Sequence, residues 1–385
     1  MNTNMEFWGY PRTADSAGIR NHLLILPTVV CANRVAQLIS QAVPGAVALQ
    51  HPFGCSQMGD DARQTARVLR GMGANANVGG VIVIGLGCET VAAEGVAESI
   101  AALGKPVEML KIQDLGGSDQ ALRAGAHLTH QLAQKLTQAR REPCSLAQIT
   151  IGIHCADPDD TVITWANPVV GKVCDMLVTR QARVMFAEIP ELLAAAEELR
   201  AMAENPWLAE QINRLLEEWK ERLMHGDRRI WHLPTTDNPG LPARSTACGS
   251  LAKAGAGPIQ EVLTYGQAPQ RKGLTLMDTP TNPAESLTGM VAGGAQLILL
   301  TTGSGALIGS PIAPVISISA NPAVLSSLKE HTDLDLTPLL SGGLSLDAAA
   351  LHLRDLALQV AGGEETQTER LGYRDFAINR IGPTV

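Results

Sequence analysis

The run Val-Ile-Val-Ile at residues 81–84 lies between Gly79-Gly80 and Gly85 and carries no polar side chain. An uninterrupted apolar strand of this kind is buried on both faces, as happens in parallel sheets covered by helices. The run stops at Gly85-Leu86-Gly87, turns at Cys88-Glu89 and enters an Ala- and Glu-rich helical stretch from Thr90. A thiol and a carboxylate therefore stand together at the carboxyl end of a strand, where open α/β sheets hold their ligands.

The same unit recurs along the chain. Residues 22–29, 46–50 and 107–112 also read as strands, and 31–41, 60–70, 90–103 and 118–141 as helices, with 7–21 as a polar lead-in. The alternation restarts at 148–153 and 182–187, and strands at 273–277, 296–300 and 314–318 complete a second set. Helices fall at 166–179, 282–290, 321–330 and 345–360; the Ala166-Asn167-Pro168 that opens the first is echoed by Ala320-Asn321-Pro322 at the third. Residues 190–225 form a charged amphipathic region with a break at Pro206, and 226–257 has little periodicity and reads as a long loop, a length that compact domains reserve for functional segments. At 385 residues the chain exceeds one typical domain. The predicted fold class is α/β: two Rossmann-like lobes with mostly parallel sheets and flanking helices, over 1–145 and 146–385, the second carrying a helical and loop insertion at about 190–257.

Composition removes several function classes. A net charge of −8 without a basic block argues against nucleic acid or an anionic membrane as partner. Aromatic residues are only 3% of the chain, too few for base-stacking platforms. No apolar run has membrane-spanning length, and the N-terminus lacks the pattern of a secretory signal. Seven scattered cysteines do not make a disulfide framework, so a cytoplasmic protein with reduced thiols is expected.

Three strand ends pair a cysteine with a second donor: His51 with Cys55, Cys88 with Glu89, and His154 with Cys155. Thiolates, imidazoles and carboxylates meeting there would suit one divalent metal, although most cysteines are small buried hydrophobes. The stretch Gly85-Leu86-Gly87-Cys88-Glu89-Thr90 also approaches the dinucleotide fingerprint, with Asp114 placed for a ribose. It lacks the third glycine, and Glu89 sets a negative charge where pyrophosphate would bind, so a nicotinamide enzyme is the weaker alternative. Thr301-Thr302-Gly303-Ser304-Gly305 is a turn whose amides suit a carboxylate or phosphate, or is simply a tight turn. Asp157, Asp159 and Asp160 read either as a hard-cation site or as turn residues around Pro158.

Across nearly its whole length the chain resembles the altronate dehydratase and D-galactarate dehydratase (altronate hydrolase) family of sugar-acid lyases. The matching stretches include Gly18-Ile-Arg-Asn21, His51-Pro-Phe-Gly-Cys55 and Gly85-Leu-Gly-Cys-Glu89. They continue with Cys155 and Asp159, Ala166-Asn-Pro168, Glu188, Met277-Asp-Thr-Pro280, and Thr301-Thr-Gly303 with Gly305. The resemblance implies a metal-assisted dehydration of a hydroxy acid to a 2-keto-3-deoxy acid. The metal would be ferrous iron, with manganese, magnesium or zinc as substitutes. His51, Cys88, Glu89 and Glu188 would be catalytic, with His51 or Glu188 as the base. His51, Cys55, Cys88, Cys155 and Asp159 would hold the metal, and Arg20, Asn21, Asn167, Thr302, Gly303 and Gly305 the substrate. A homo-oligomer is expected, and the family's small N-terminal domain would be absent or supplied by a separate small subunit.

Two departures stand out. Where the family has Cys-Gly-Gly-Ser-Asp and then Ser-Gly, this chain has Cys155-Ala156-Asp157-Pro158-Asp159 and then Val162-Ile163. The family's Gly-Asn-Lys loop and Glu-Lys-Ser segment have no counterpart in 238–249, which would cost the site a lysine. A changed substrate follows, such as a smaller hydroxy acid like sulfolactate; a non-catalytic regulatory paralogue is the competing reading.

Overall fold

A computed structural model describes residues 6–225 and 243–382. In chain order its strands are β1 (Glu6–Thr13), β2 (Ser16–Gly18), β3 (His22–Pro27), β4 (Ala46–Ala48), β5 (Val78–Gly85), β6 (Val107–Lys111) and β7 (Glu142–Ser145). They continue with β8 (Thr150–Asp157), β9 (Arg183–Phe186), β10 (Ile259–Leu263), β11 (Gly273–Met277), β12 (Leu297–Thr302), β13 (Val315–Ser319) and β14 (Leu334–Asp335). The four-stranded sheet β4-β3-β5-β6 and the seven-stranded sheet β10-β11-β9-β8-β12-β13-β14 are parallel throughout, with helices on their faces. The α/β class expected from the apolar runs is the one the chain adopts.

The physical cause lies in the central strands. All eight residues of β5 are buried, so neither face of that strand can be left to water. Each Ile or Val fully buried this way contributes roughly 1.5–3 kcal/mol. One face of the small sheet packs on the helices Asn33–Ala42 and Ser118–Leu136 through Ile25, Ile39, Ile82, Ile84 and Leu132. The other face joins a core shared by both sheets, in which Leu24, Val81 and Val83 meet Met185, Met277, Met290 and Leu300. Helix Gly59–Ala74 lies against helix Pro283–Ala292 so closely that a Cβ on Gly71 would collide with the carbonyl of Ala292.

Two expectations about elements need correction. The lead-in at 7–21 is instead the hairpin β1–β2, and β1 also pairs antiparallel with β7, giving a third, three-stranded sheet. β2 and β7 are short, β1 is half-exposed, and the β1–β7 pairing joins residues far apart in sequence, so local periodicity does not reveal this sheet. The loop expected at 226–257 lies outside the described residues up to 242. Beyond that it contains the helix Arg244–Leu251 and a 3-10 turn, Ala252–Ala254. The insertion before it is helical, ending in Pro206–His225, and Pro206 occupies the first helical position, where its missing N–H costs nothing.

Candidate active site

At the carboxyl ends of β8 and β9, four ionisable side chains are buried together: His154, Glu188, Glu191 and Lys253. Glu188 follows β9 directly and adopts a left-handed backbone (φ 68°, ψ 58°), a conformation that costs a non-glycine residue energy and that structures retain mostly at functional positions. Its N–H donates to Thr279 Oγ1 at 3.0 Å, which helps to hold this geometry. Glu188 Oε1 accepts the Cys155 N–H at 2.6 Å and lies 2.5 Å from His154 Nδ1. The latter is a close contact without hydrogen-bond alignment, and His154 Nε2 has no hydrogen-bond partner among the described residues. Glu188 Oε2 pairs with Lys253 Nζ, delivered by the 3-10 turn after the helix Arg244–Leu251; both side chains are 0% exposed.

Burial alone would neutralise these groups, and their mutual charges decide otherwise. Burial pushes the Glu188 carboxyl up, but His154 and Lys253 beside it outweigh that and hold its pKa below the usual value. For Lys253, burial pulls down while Glu188, Cys155 and Glu191 together raise its pKa above the ordinary value. The pair is therefore ionised. Glu191 goes the other way: burial, then the Glu188 charge, push it up to about 8, so it keeps its proton at neutral pH. Burial likewise pushes the Cys155 thiol up to about 12, so it keeps its proton at neutral pH. Two neighbouring carboxyls with opposed ionisation form the usual signature of a base and an acid.

Asn167 lies on the same floor. Its Oδ1 accepts from Thr301 Oγ1 at 2.8 Å, and its Nδ2 donates to the Gly249 carbonyl at 3.0 Å. The turn after β12 is not an open anion seat. Asp157 Oδ1 accepts from Thr302 Oγ1 (2.7 Å) and the Gly303 N–H (2.8 Å), and its Oδ2 accepts from the Ser304 N–H (2.6 Å). The Gly305 N–H donates to Thr302 Oγ1 at 2.9 Å. Asp159 is likewise occupied, accepting from Thr161, the Val162 N–H and Asn321.

The first-lobe candidates gather at the carboxyl ends of β3, β4 and β5. Glu89 accepts from Thr28 Oγ1 at 3.1 Å and from the Gly87 N–H at 2.6 Å. The Gly87 amide is thus already capped by a carboxylate, and the following helix starts only at Ala93; both observations tell against a pyrophosphate and the nicotinamide alternative. Cys55 and Cys88 are exposed. His51 is buried, with Nε2 2.8 Å from the Pro27 carbonyl and Nδ1 accepting the Phe53 N–H at 3.2 Å. Burial lowers its pKa, against the opposing pull of the Pro27 carbonyl. Both ring nitrogens therefore serve the backbone, and neither is free for a metal or a substrate proton. Among the described residues no group of three or more His, Cys, Asp or Glu is arranged to hold a metal ion. The five expected donors, as placed, do not fit one.

Arg20 and Asn21 sit at the opposite end of the small sheet, just before β3. The Arg20 guanidinium donates to both Glu369 oxygens and to the carbonyls of Ile19, Val360 and Glu364, which exhausts its donors. Asn21 Oδ1 accepts from Arg12 at 2.7 Å, and its Nδ2 donates to the Leu136 carbonyl at 3.2 Å. Their work is structural. Conversely, Glu191 and Lys253 escaped the candidate list, and His154 entered it only as the donor beside Cys155. Glu191 had a signal, a carboxylate three residues after Glu188 at a Pro-marked helix start, whereas Lys253 lay in an Ala- and Gly-rich stretch without one.

Comparison with known proteins gives a consistent set. The family described as "D-galactarate/Altronate dehydratase, C-terminal" matches residues 146–384, and "D-galactarate dehydratase/Altronate hydrolase, second domain" matches 9–137. The (2R)-sulfolactate sulfo-lyase subunit beta of Chromohalobacter salexigens is 32% identical over 381 residues, covering 97% of each chain. The altronate dehydratase of Bacillus subtilis is 28% identical over 400 residues, covering all of this chain and 79% of its own. The galactarate dehydratase (L-threo-forming) of Escherichia coli is 30% identical over 311 residues, covering 78% of this chain and 59% of its own.

Proposed function

Because the chain belongs to the D-galactarate/altronate dehydratase family, we propose that it is a lyase removing water from a small hydroxy acid to leave a 2-keto acid. The observation that carries this reading is the buried Glu188–Lys253 pair beside a protonated Glu191 at the strand ends. In the proposed reaction Glu188 takes the proton from the carbon next to the substrate carboxylate. The electron pair moves into the carboxylate as an enediolate, which the Lys253 ammonium stabilises. The hydroxyl on the next carbon departs as water with the proton of Glu191, and the resulting enol tautomerises to the keto acid. Among the described residues the donors do not assemble a metal site, and no step here runs through a metal.

A separate small partner subunit belongs to the same proposal, because the sulfolactate relative, which matches this chain end to end, is itself named as a beta subunit. That relative also favours a second reading, elimination from a smaller substituted hydroxy acid. A panel of hydroxy acids, sulfolactate included, assayed for 2-keto acid with and without a small partner tests both readings. Turnover is expected, and Glu188→Gln should lower it by about 10²–10⁴-fold with the fold intact. A panel without turnover in any arm would leave the regulatory paralogue as the better account.

A further inference from the structure

We infer that Asp157 closes the glycine-rich turn after β12 to any second acidic group, so that the substrate of this chain carries a single acid function. The inference rests on the lyase reading and adds a substrate class to it.

A turn of consecutive amides with a threonine hydroxyl is an anion seat by construction, since its N–H groups converge and repay a negative charge placed among them. Here the seat holds an anion from within the chain. Asp157 is the last residue of β8 and lies opposite Thr302 in the β8–β12 register, so the sheet itself delivers the carboxylate. Both its oxygens are engaged, by the Thr302 hydroxyl and the Gly303 N–H on one and the Ser304 N–H on the other. Thr302 Oγ1 in turn accepts the N–H groups of Gly305 and Ala306, at 2.9 and 2.8 Å. The four successive amides of the turn are therefore taken.

The seat is part of the site. Asp157 shares its strand with His154 and Cys155, the neighbouring Thr301 bonds Asn167, and the Asp157 charge reaches Glu191. A second carboxylate or a sulfonate arriving there would find no free amide among residues 303–306 and would face the fixed negative charge of Asp157, which repels it. A neutral, hydroxylated end of a substrate meets no such penalty.

The test measures the ratio of kcat/KM for diacids over monoacids, using hydroxy acids of four to six carbons paired by length, with sulfolactate as a further doubly charged substrate. Wild type should favour the monoacid of each pair. Asp157→Gly, which opens the seat and removes the charge, should raise the diacid-to-monoacid ratio by at least about tenfold. Asp157→Asn, which keeps an acceptor oxygen in the turn, should show a smaller gain. If the glycine variant melts far below wild type, Asp157→Ser is read in its place. A wild type that prefers diacids or sulfolactate, or a folded open-seat variant with an unchanged ratio, overturns the inference while the lyase reading stands. Absence of turnover by wild type on every substrate overturns the lyase reading itself.

Discussion

At the scale of single residues, the site is governed by the contrast between two carboxyls three positions apart. Glu188 is held ionised by His154 and Lys253, and Glu191 is held protonated by burial and by Glu188. The pH dependence follows with a definite sign. A carboxyl whose folded pKa is raised from 4.5 to about 8 binds a proton that the unfolded chain has already lost between those values. Stability from this group therefore declines as pH rises through that window, and Glu191→Gln should flatten the decline in a series of denaturant titrations. Activity that needs the Glu191 proton should fall as pH passes about 8, on a limb that the Gln variant lacks. An unaltered limb in that variant would assign the acid elsewhere. Glu188 was legible in the sequence as a strand-end carboxylate in a family stretch. Lys253 was not, because nothing local separates a buried lysine from a solvated one; only the tertiary placement of its turn against β9 does so.

Among elements, the sequence announces those that solve their own burial problem. The strands β3, β5, β8 and β12 are apolar runs that only a covered parallel sheet accommodates, and their helices follow at the expected intervals. What escaped are elements whose conformation is decided from outside. The sheet β2-β1-β7 pairs Glu6 with Ser145, and helix Arg244–Leu251 is too small and polar in its side chains to show a stripe. Arg20 illustrates how family residues mislead on role: its match reflects the job of fastening the C-terminal helices Leu346–Ala361 and Gln367–Leu371 to β3. Arg20→Lys keeps the charge but loses the planar fork. It should cost about 2 kcal/mol or more in denaturant unfolding and leave KM unchanged. A raised KM at unchanged stability would return Arg20 to the substrate.

Taken whole, the molecule is built on two parallel sheets sharing one core and sewn together at the amino ends of their strands. Asn77 carries much of the sewing. Its Nδ2 donates to the carbonyls of Gln296 and Ile312 in the second lobe, while its Oδ1 accepts the N–H groups of Ile19 and Arg20 in the first. Asn75 adds bonds to the carbonyls of Val291 and Ala295. Asn77→Ala strands four buried backbone groups, so a loss of at least about 2 kcal/mol is expected from equilibrium unfolding. A neutral result would mean that the apolar core alone joins the lobes. At the other rim the connections run through the C-terminal segment, where Asp375 accepts the Gly309 N–H, Phe376 packs edge-on to His51, and Asp61 accepts the N–H groups of Ile381 and Gly382. The asparagine seam thus fixes one end of β5, and the strand runs from it to the Cys88–Glu89 end. Eight residues at about 3.3 Å each give it a length of about 26 Å, so a rotation of about 5° carries its far end through about 2 Å. A rotation about the seam would therefore displace the Cys88–Glu89 end of β5 most and the seam hardly at all.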